Sequence, residues 1–160
     1  MSVTTDIQGQ VARITLDNPD KRNAFDDIII ASLTEAFEKI GSDASVRVVV
    51  LQAAGKHFSA GADLNWMCAM GKLDAQQNQQ DALRLAALMQ AIDQCAKPVI
   101  ARVQGAAFGG ALGLICAADM AVAADNARVC LGDVKLGLGP AVSRPYVGRA
   151  MGPRQASRSF

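Results

Sequence analysis

Apolar and polar positions change rhythm several times along the chain. Val3 to Ile7 form a first strand-like run, and Val11, Ile14 and Leu16 of VARITL partly alternate after the Gly9-Gln10 step, the pattern of a hairpin. The segment DNPDKRNAF, residues 17–25, breaks that rhythm, its Asn-Pro step and clustered charges marking a loop. From Asp26, placed as an N-cap, Ile29, Ile30, Leu33, Phe37 and Ile40 recur at helical spacing until Gly41 closes the element. VRVVVLQAAG, residues 46–55, is a near-continuous apolar run ending in a glycine turn, and reads as a buried strand.

A second amphipathic helix runs from about Asp74 to Cys95, with Ala82, Leu85, Leu88, Met89 and Ile92 expected on the core side and the glutamines outward. Lys97-Pro98 stops it, because the residue before a proline is pushed out of the helical region. Val99 to Gly105 follows as a strand, AFGGALGLICAAD begins with glycines and becomes helical, MAVAAD reads as a short buried strand, ARVCL as another, and DVKLGLGP turns back. Helices and strands alternating in this way predict an α/β fold. No composition shift divides the sequence, so one domain over residues 1–160 is expected. Pro153 sits where a helix begins, yet scarcely two turns remain before Phe160, so a continuing natural domain or a covering subunit is expected.

Composition narrows the function classes. A net charge of +1 with 19% charged residues gives no electrostatic reason to expect nucleic acid. Cys68, Cys95, Cys116 and Cys130 are never closer than fourteen positions, and His57 is the single histidine, so no zinc cluster is spelled. Reduced, mostly buried thiols in a cytoplasmic setting are expected. MSVTTDIQGQ has no basic end followed by an apolar run, and the sixteen uncharged residues between Arg102 and Asp119 include four glycines and Gln104, short of a membrane span.

Two segments share a design. FSAGADL, residues 58–64, and AFGGALG, residues 107–113, each follow a strand and enter a helix through residues with almost no side chain. The first amides of such helices have no acceptor of their own, so a ligand oxygen can reach them. Two helix starts brought together would form an oxyanion hole, in which losing one donor costs roughly 3 kcal/mol of transition-state stabilisation. Neither segment is a phosphate loop: Gly55-Lys56 is followed by His57, Val50 stands where the first glycine of that motif belongs, and no GxGxxG occurs. Gly109 and Gly113 also suit simple close helix packing, and spacing alone leaves both uses open.

NPDKRNAF, HFSAGADL, KPVIARVQGAAFGGALGL and DVKLGLGP occur in the order, and at about the spacing, of the crotonase superfamily, and together the chain resembles the enoyl-CoA hydratase/isomerase family over essentially its whole length. SAGADLNWM and GAAFGGALGL look most like bacterial 3-methylglutaconyl-CoA and carboxygeranoyl-CoA hydratases. The resemblance implies an α/β crotonase-like fold of repeated ββα units, here without the family's C-terminal helical region. It also implies a thioester substrate carried on coenzyme A, no separate cofactor, and assembly into trimers or hexamers when the C-terminal region is present. By the same resemblance the thioester oxygen is bound by the amides of Ala62 and Gly110. Ala24, Ala60, Asp63 and Leu64 match the coenzyme A path, with Gly109 and Gly113 against the substrate.

Many hydratases of the family use two glutamates. Gly113 stands at the first position and Asp133 at the second, so Asp133 is expected to move the proton; as a bare residue it would be a turn carboxylate. The absent side chain at Gly113 either serves packing or leaves room for a branched or carboxyl-bearing acyl group. Lys135 and Arg144 are the nearby cations such a group would want, although both read as solvated charges. Asp63 reads as a first-turn residue favoured by the helix dipole, His57 as a turn residue, and Trp66 and Met67 as core or pocket wall. The expected activity is reversible hydration of a 2,3-enoyl-CoA, preferably of 3-methylglutaconyl type; a Δ3-Δ2 isomerase and a non-catalytic acyl-CoA binder are the alternatives.

Overall fold

A computed structural model describes residues 2–71, 74–132 and 139–158. β1 (Val3–Gln8) and β2 (Val11–Leu16) form the expected antiparallel hairpin, turning at Gly9 with φ +61°. On β2 the buried alternation is Ala12, Ile14 and Leu16, with Val11 half-buried. β3 (Val48–Ala53) and β4 (Val99–Val103) then add in parallel, and β6 (Met120–Ala123) closes the five-stranded order β1-β2-β3-β4-β6. β5 (Ala106–Phe108) and β7 (Arg128–Cys130) form a separate parallel pair.

α1 (Asp27–Ser42) begins where Asp26 accepts a hydrogen bond from the Ile29 amide at 3.0 Å, and its apolar stripe is buried as the periodicity predicts. Gly41 does not end it; the helix continues through Ser42. α3 (Ala75–Asp93) opens with a capping box: Asp74 accepts from the Gln77 amide at 2.8 Å, while the Gln77 side chain accepts from the Asp74 amide. The two helices pack on one another, and Leu33, Phe37, Leu88, Met89 and Ile92 join Ile14, Val49, Leu51 and Ala101 of the sheet in one core. Two shorter helices, α2 (Leu64–Met70) and α4 (Gly110–Ala117), begin at the glycine-rich segments, and α5 (Arg144–Met151) and α6 (Pro153–Ala156) pack in succession on α4.

Four readings need correction. Met120–Ala123 is a strand but not a buried one: it is the edge of the sheet and every residue in it is exposed, so its apolar composition reflects strand formation rather than burial. β5 is absent from the sequence pattern because three residues next to two glycines carry no measurable alternation, and α5 went unread for want of an apolar stripe, with only Val147 buried. The thiols are free but not mostly buried: Cys68 is exposed on α2, and Cys95, Cys116 and Cys130 are half-buried. Burial pushes the Cys116 thiol above its ordinary pKa. Finally, Ala82 of α3 is exposed rather than on the core side, while Leu85 packs against the core as expected and also borders the cavity described below. No helix among the described residues is long and apolar enough to cross a membrane.

Candidate active site

Three stretches of chain run side by side above the carboxyl ends of β3 and β4. Ser59 bridges Ala107 in parallel: its amide donates to the Ala106 carbonyl at 3.0 Å, and the Phe108 amide donates to the Ser59 carbonyl at 3.1 Å. Phe25 bridges Ala62 in the same sense, its amide donating to Gly61 and its carbonyl accepting from Asp63, both at 2.9 Å. In a parallel bridge the flanking residues make the hydrogen bonds, so the Ala62 amide is turned away from Phe25. The two small-residue segments are therefore brought together by backbone pairing.

Glycine is required at this junction. Gly61 has φ +88°, and a Cβ there would lie 2.6 Å from the Phe108 carbonyl oxygen. Gly109 has φ +55° and ψ −126°, a conformation that places its amide on the Cys130 carbonyl at 2.9 Å and starts α4 at Gly110. Among the described residues, no hydrogen bond is made by the amide of Ala62 or that of Gly110. Both residues line one cavity of about 380 Å³, whose walls include Phe25, Trp66, Met67, Leu85 and Val142. Two residues whose amides make no hydrogen bond among the described residues thus stand on the wall of a mostly apolar space.

The scaffold under this junction is a buried asparagine. Asn23, at φ +52°, donates from Nδ2 to the carbonyls of Ala54 (2.8 Å) and His57 (2.9 Å), and its Oδ1 accepts from the Asn18 amide at 2.8 Å. The Ser59 hydroxyl donates to the Asn23 carbonyl at 2.7 Å and accepts from the Gly61 amide at 3.0 Å. Sequence reasoning passed over both residues, since an Asn inside a charged loop looks like an ordinary turn former. Replacing Asn23 with Ala strands two carbonyls and one amide and removes the side-chain hydrogen bonds that hold this residue in a left-handed conformation, so unfolding in denaturant should register a loss of about 2–4 kcal/mol.

Asp63 is the N-cap of α2 rather than a first-turn residue: its carboxylate accepts from the Asn65 amide at 2.8 Å and the Trp66 amide at 3.0 Å. Leu64 is 71% exposed, and Ala24 and Ala60 are half-buried; these four flank the cavity without lining it. His57 takes a structural role, its Nδ1 accepting from the Ala106 amide at 3.1 Å. Trp66 and Met67 are cavity wall, as are Ala82 and Leu85, because the first half of α3 runs past the cavity before its second half reaches the core. Arg144 is exposed at the start of α5. Asp133 and Lys135 lie outside the described residues.

Gly113 is closely packed. It is buried in α4 and does not line the cavity, and a Cβ there would lie 2.3 Å from Met89 Cε and 2.7 Å from Ser143 Cβ. Gly113→Ala should therefore cost about 1–3 kcal/mol in a denaturant titration, and less when the same change is measured in a Met89→Ala background, where the space is open.

The cavity also contains a residue that the sequence reading did not single out. Asp81 of α3 is 8% exposed, and its carboxylate pairs with Arg84 at 2.8 Å. The available signal was periodic: Asp81 stands on the same helical stripe as Leu85, Leu88 and Ile92.

Comparison with known proteins places this geometry. The enoyl-CoA hydratase/isomerase family model matches residues 6–160. The chain belongs to that family. An enoyl-CoA hydratase from Shewanella pealeana superposes with a TM-score of 0.97 at 50% identity, over 99% of this chain and 60% of the other. Enoyl-CoA hydratase AKT6-1 of Alternaria alternata is 36% identical over 145 residues, covering 91% of this chain and 47% of that protein. The human mitochondrial Delta(3,5)-Delta(2,4)-dienoyl-CoA isomerase is 34% identical over 146 residues, which is 84% of this chain and 43% of the isomerase. The chain therefore spans roughly half of these two relatives, and the family contains both hydratases and isomerases on the crotonase-like fold described above.

Proposed function

We propose that the chain carries acyl-CoA lyase chemistry, the reversible addition of water across the 2,3-double bond of an enoyl-CoA thioester. The observation that carries this reading is the pair of unpartnered amides, Ala62 and Gly110, on the wall of one cavity. A thioester oxygen accepting from both is stabilised as it gains negative charge, which makes the β-carbon electrophilic and the α-carbon basic in turn. Water adds its oxygen to the β-carbon, and the proton it releases is returned at the α-carbon. Asp133 is the group proposed to relay that proton. The coenzyme A chain lies across Ala24, Ala60, Asp63, Leu64 and Gly109, and no further cofactor takes part. We further propose cytoplasmic operation and, when the C-terminal region is present, a trimeric or hexameric assembly, the latter tested by sedimentation of the purified protein.

The 3-methylglutaconyl preference suggested by the resemblance has weaker support than hydration itself. Met89 and Ser143 take up the room beside Gly113, and the charged residue among the described cavity walls is an acid. Isomerisation is the second reading, favoured by the isomerase among the relatives and by the family's first glutamate position being a glycine here.

One assay separates the readings. Crotonyl-CoA, 3-methylglutaconyl-CoA and a 3-enoyl-CoA are incubated with the protein while the absorbance of the conjugated thioester is followed. Loss of signal with crotonyl-CoA is the expected result. Gain with the 3-enoyl thioester instead would establish an isomerase, and an unchanged signal with retained thioester binding would establish a non-catalytic binder.

A further inference from the structure

We propose that Asp81 is a charge filter that excludes carboxyl-bearing acyl groups from the cavity and selects uncharged ones. The inference rests on the acyl-CoA reading and adds a specificity determinant to it. Asp81 lines the cavity together with Ala62 and Gly110, and among the described residues the other walls are largely hydrocarbon. Its position relative to the amides follows from α3. Leu85 Cδ2 lies 3.9 Å from where a Gly110 Cβ would stand, and Asp81 is one helical turn, about 5.4 Å, further along. An acyl group whose carbonyl is held by the two amides therefore shares its space with this carboxylate.

The Arg84 partner does not cancel that field. Its guanidinium reaches Oδ1 of Asp81 from a side chain 56% exposed, whereas the Asp81 side chain is 10% exposed. Water screens the cation far more than the anion, so the cavity experiences a net negative end. Among the described residues no donor reaches Asp81 Oδ2. A sphere of 380 Å³ is about 9 Å across, comparable with the screening length of about 8 Å at physiological ionic strength, so a second carboxylate anywhere inside is repelled. Two like charges at such a distance in a partly desolvated site discriminate on the order of 10- to 50-fold.

The test compares binding of glutaryl-CoA with that of its methyl ester, two thioesters that differ by one charge and one methyl group, by titration calorimetry. The protein should prefer the ester on the order of 10- to 50-fold, Asp81→Asn should reduce that preference to a few-fold, and Arg84→Met should widen it. Should Asp81→Asn perturb folding, Arg84→Met tests the same field from the exposed partner with the opposite sign. A preference that is absent, or unmoved by both variants while the ester still binds, overturns the filter alone. If the unaltered protein binds neither thioester, the acyl-CoA reading falls and the filter with it.

Discussion

Asp133→Asn is expected to keep thioester binding and to lower turnover on the order of 10²- to 10⁴-fold, the span associated with removing a positioned general acid or base. Asn preserves the size of the side chain but cannot accept and return a proton at neutral pH, so the loss should appear in kcat, with the dissociation constant of a saturated acyl-CoA unchanged. The choice of Asp133 gains from what the neighbouring acids are doing. Asp119 is committed to the sheet, its Oδ2 accepting from the Val99 amide at 2.8 Å, and Asp125 is exposed in the turn before β7. Neither lines the cavity. Wild-type turnover in Asp133→Asn, read in the crotonyl-CoA assay, would remove this residue from the chemistry.

Gly61→Ala should lower kcat on the order of 10²- to 10³-fold while leaving the helices and sheet in place. The residue holds φ +88°, and its new methyl group would meet the Phe108 carbonyl oxygen at 2.6 Å and the Phe108 carbonyl carbon at 3.3 Å. Relief requires the two segments to separate, and those segments carry Ala62 on one side and Gly110 on the other. Both donors move from the positions that a single acceptor needs. Gly148→Ala is the control, since a Cβ at that helical glycine meets nothing within 4 Å; it should leave the rate unchanged. Far-ultraviolet circular dichroism of Gly61→Ala beside its kcat separates a misplaced amide from an unfolded chain. A normal kcat would dissociate the amide pair from catalysis.

The local elements were legible where periodicity was long. Five apolar residues on one stripe marked α1, and Asp26 and Asp74 announced the starts of α1 and α3 because a carboxylate before a helix has a physical use there. The two small-residue turns were legible as helix entries with open amides. Short elements were not: β5 is three residues long, and its identity comes from β7, twenty-two positions later in register. The stripe on α3 was read correctly for Leu85, Leu88, Met89 and Ile92 and wrongly for Ala82, which is exposed on the cavity side of the helix.

Residue order alone determined which backbone stretches could offer unsatisfied amides, since small side chains, glycine and helix starts are local properties. Only the tertiary structure decided that Ala62 and Gly110 line the same cavity, through the Phe25–Ala62 and Ser59–Ala107 bridges. It also decided that Gly113 is filled by Met89 and that Asp81 looks inward. The reason is physical: hydrogen-bonding capacity belongs to a residue and its immediate neighbours, whereas the volume beside a side chain belongs to whatever distant segments fold against it.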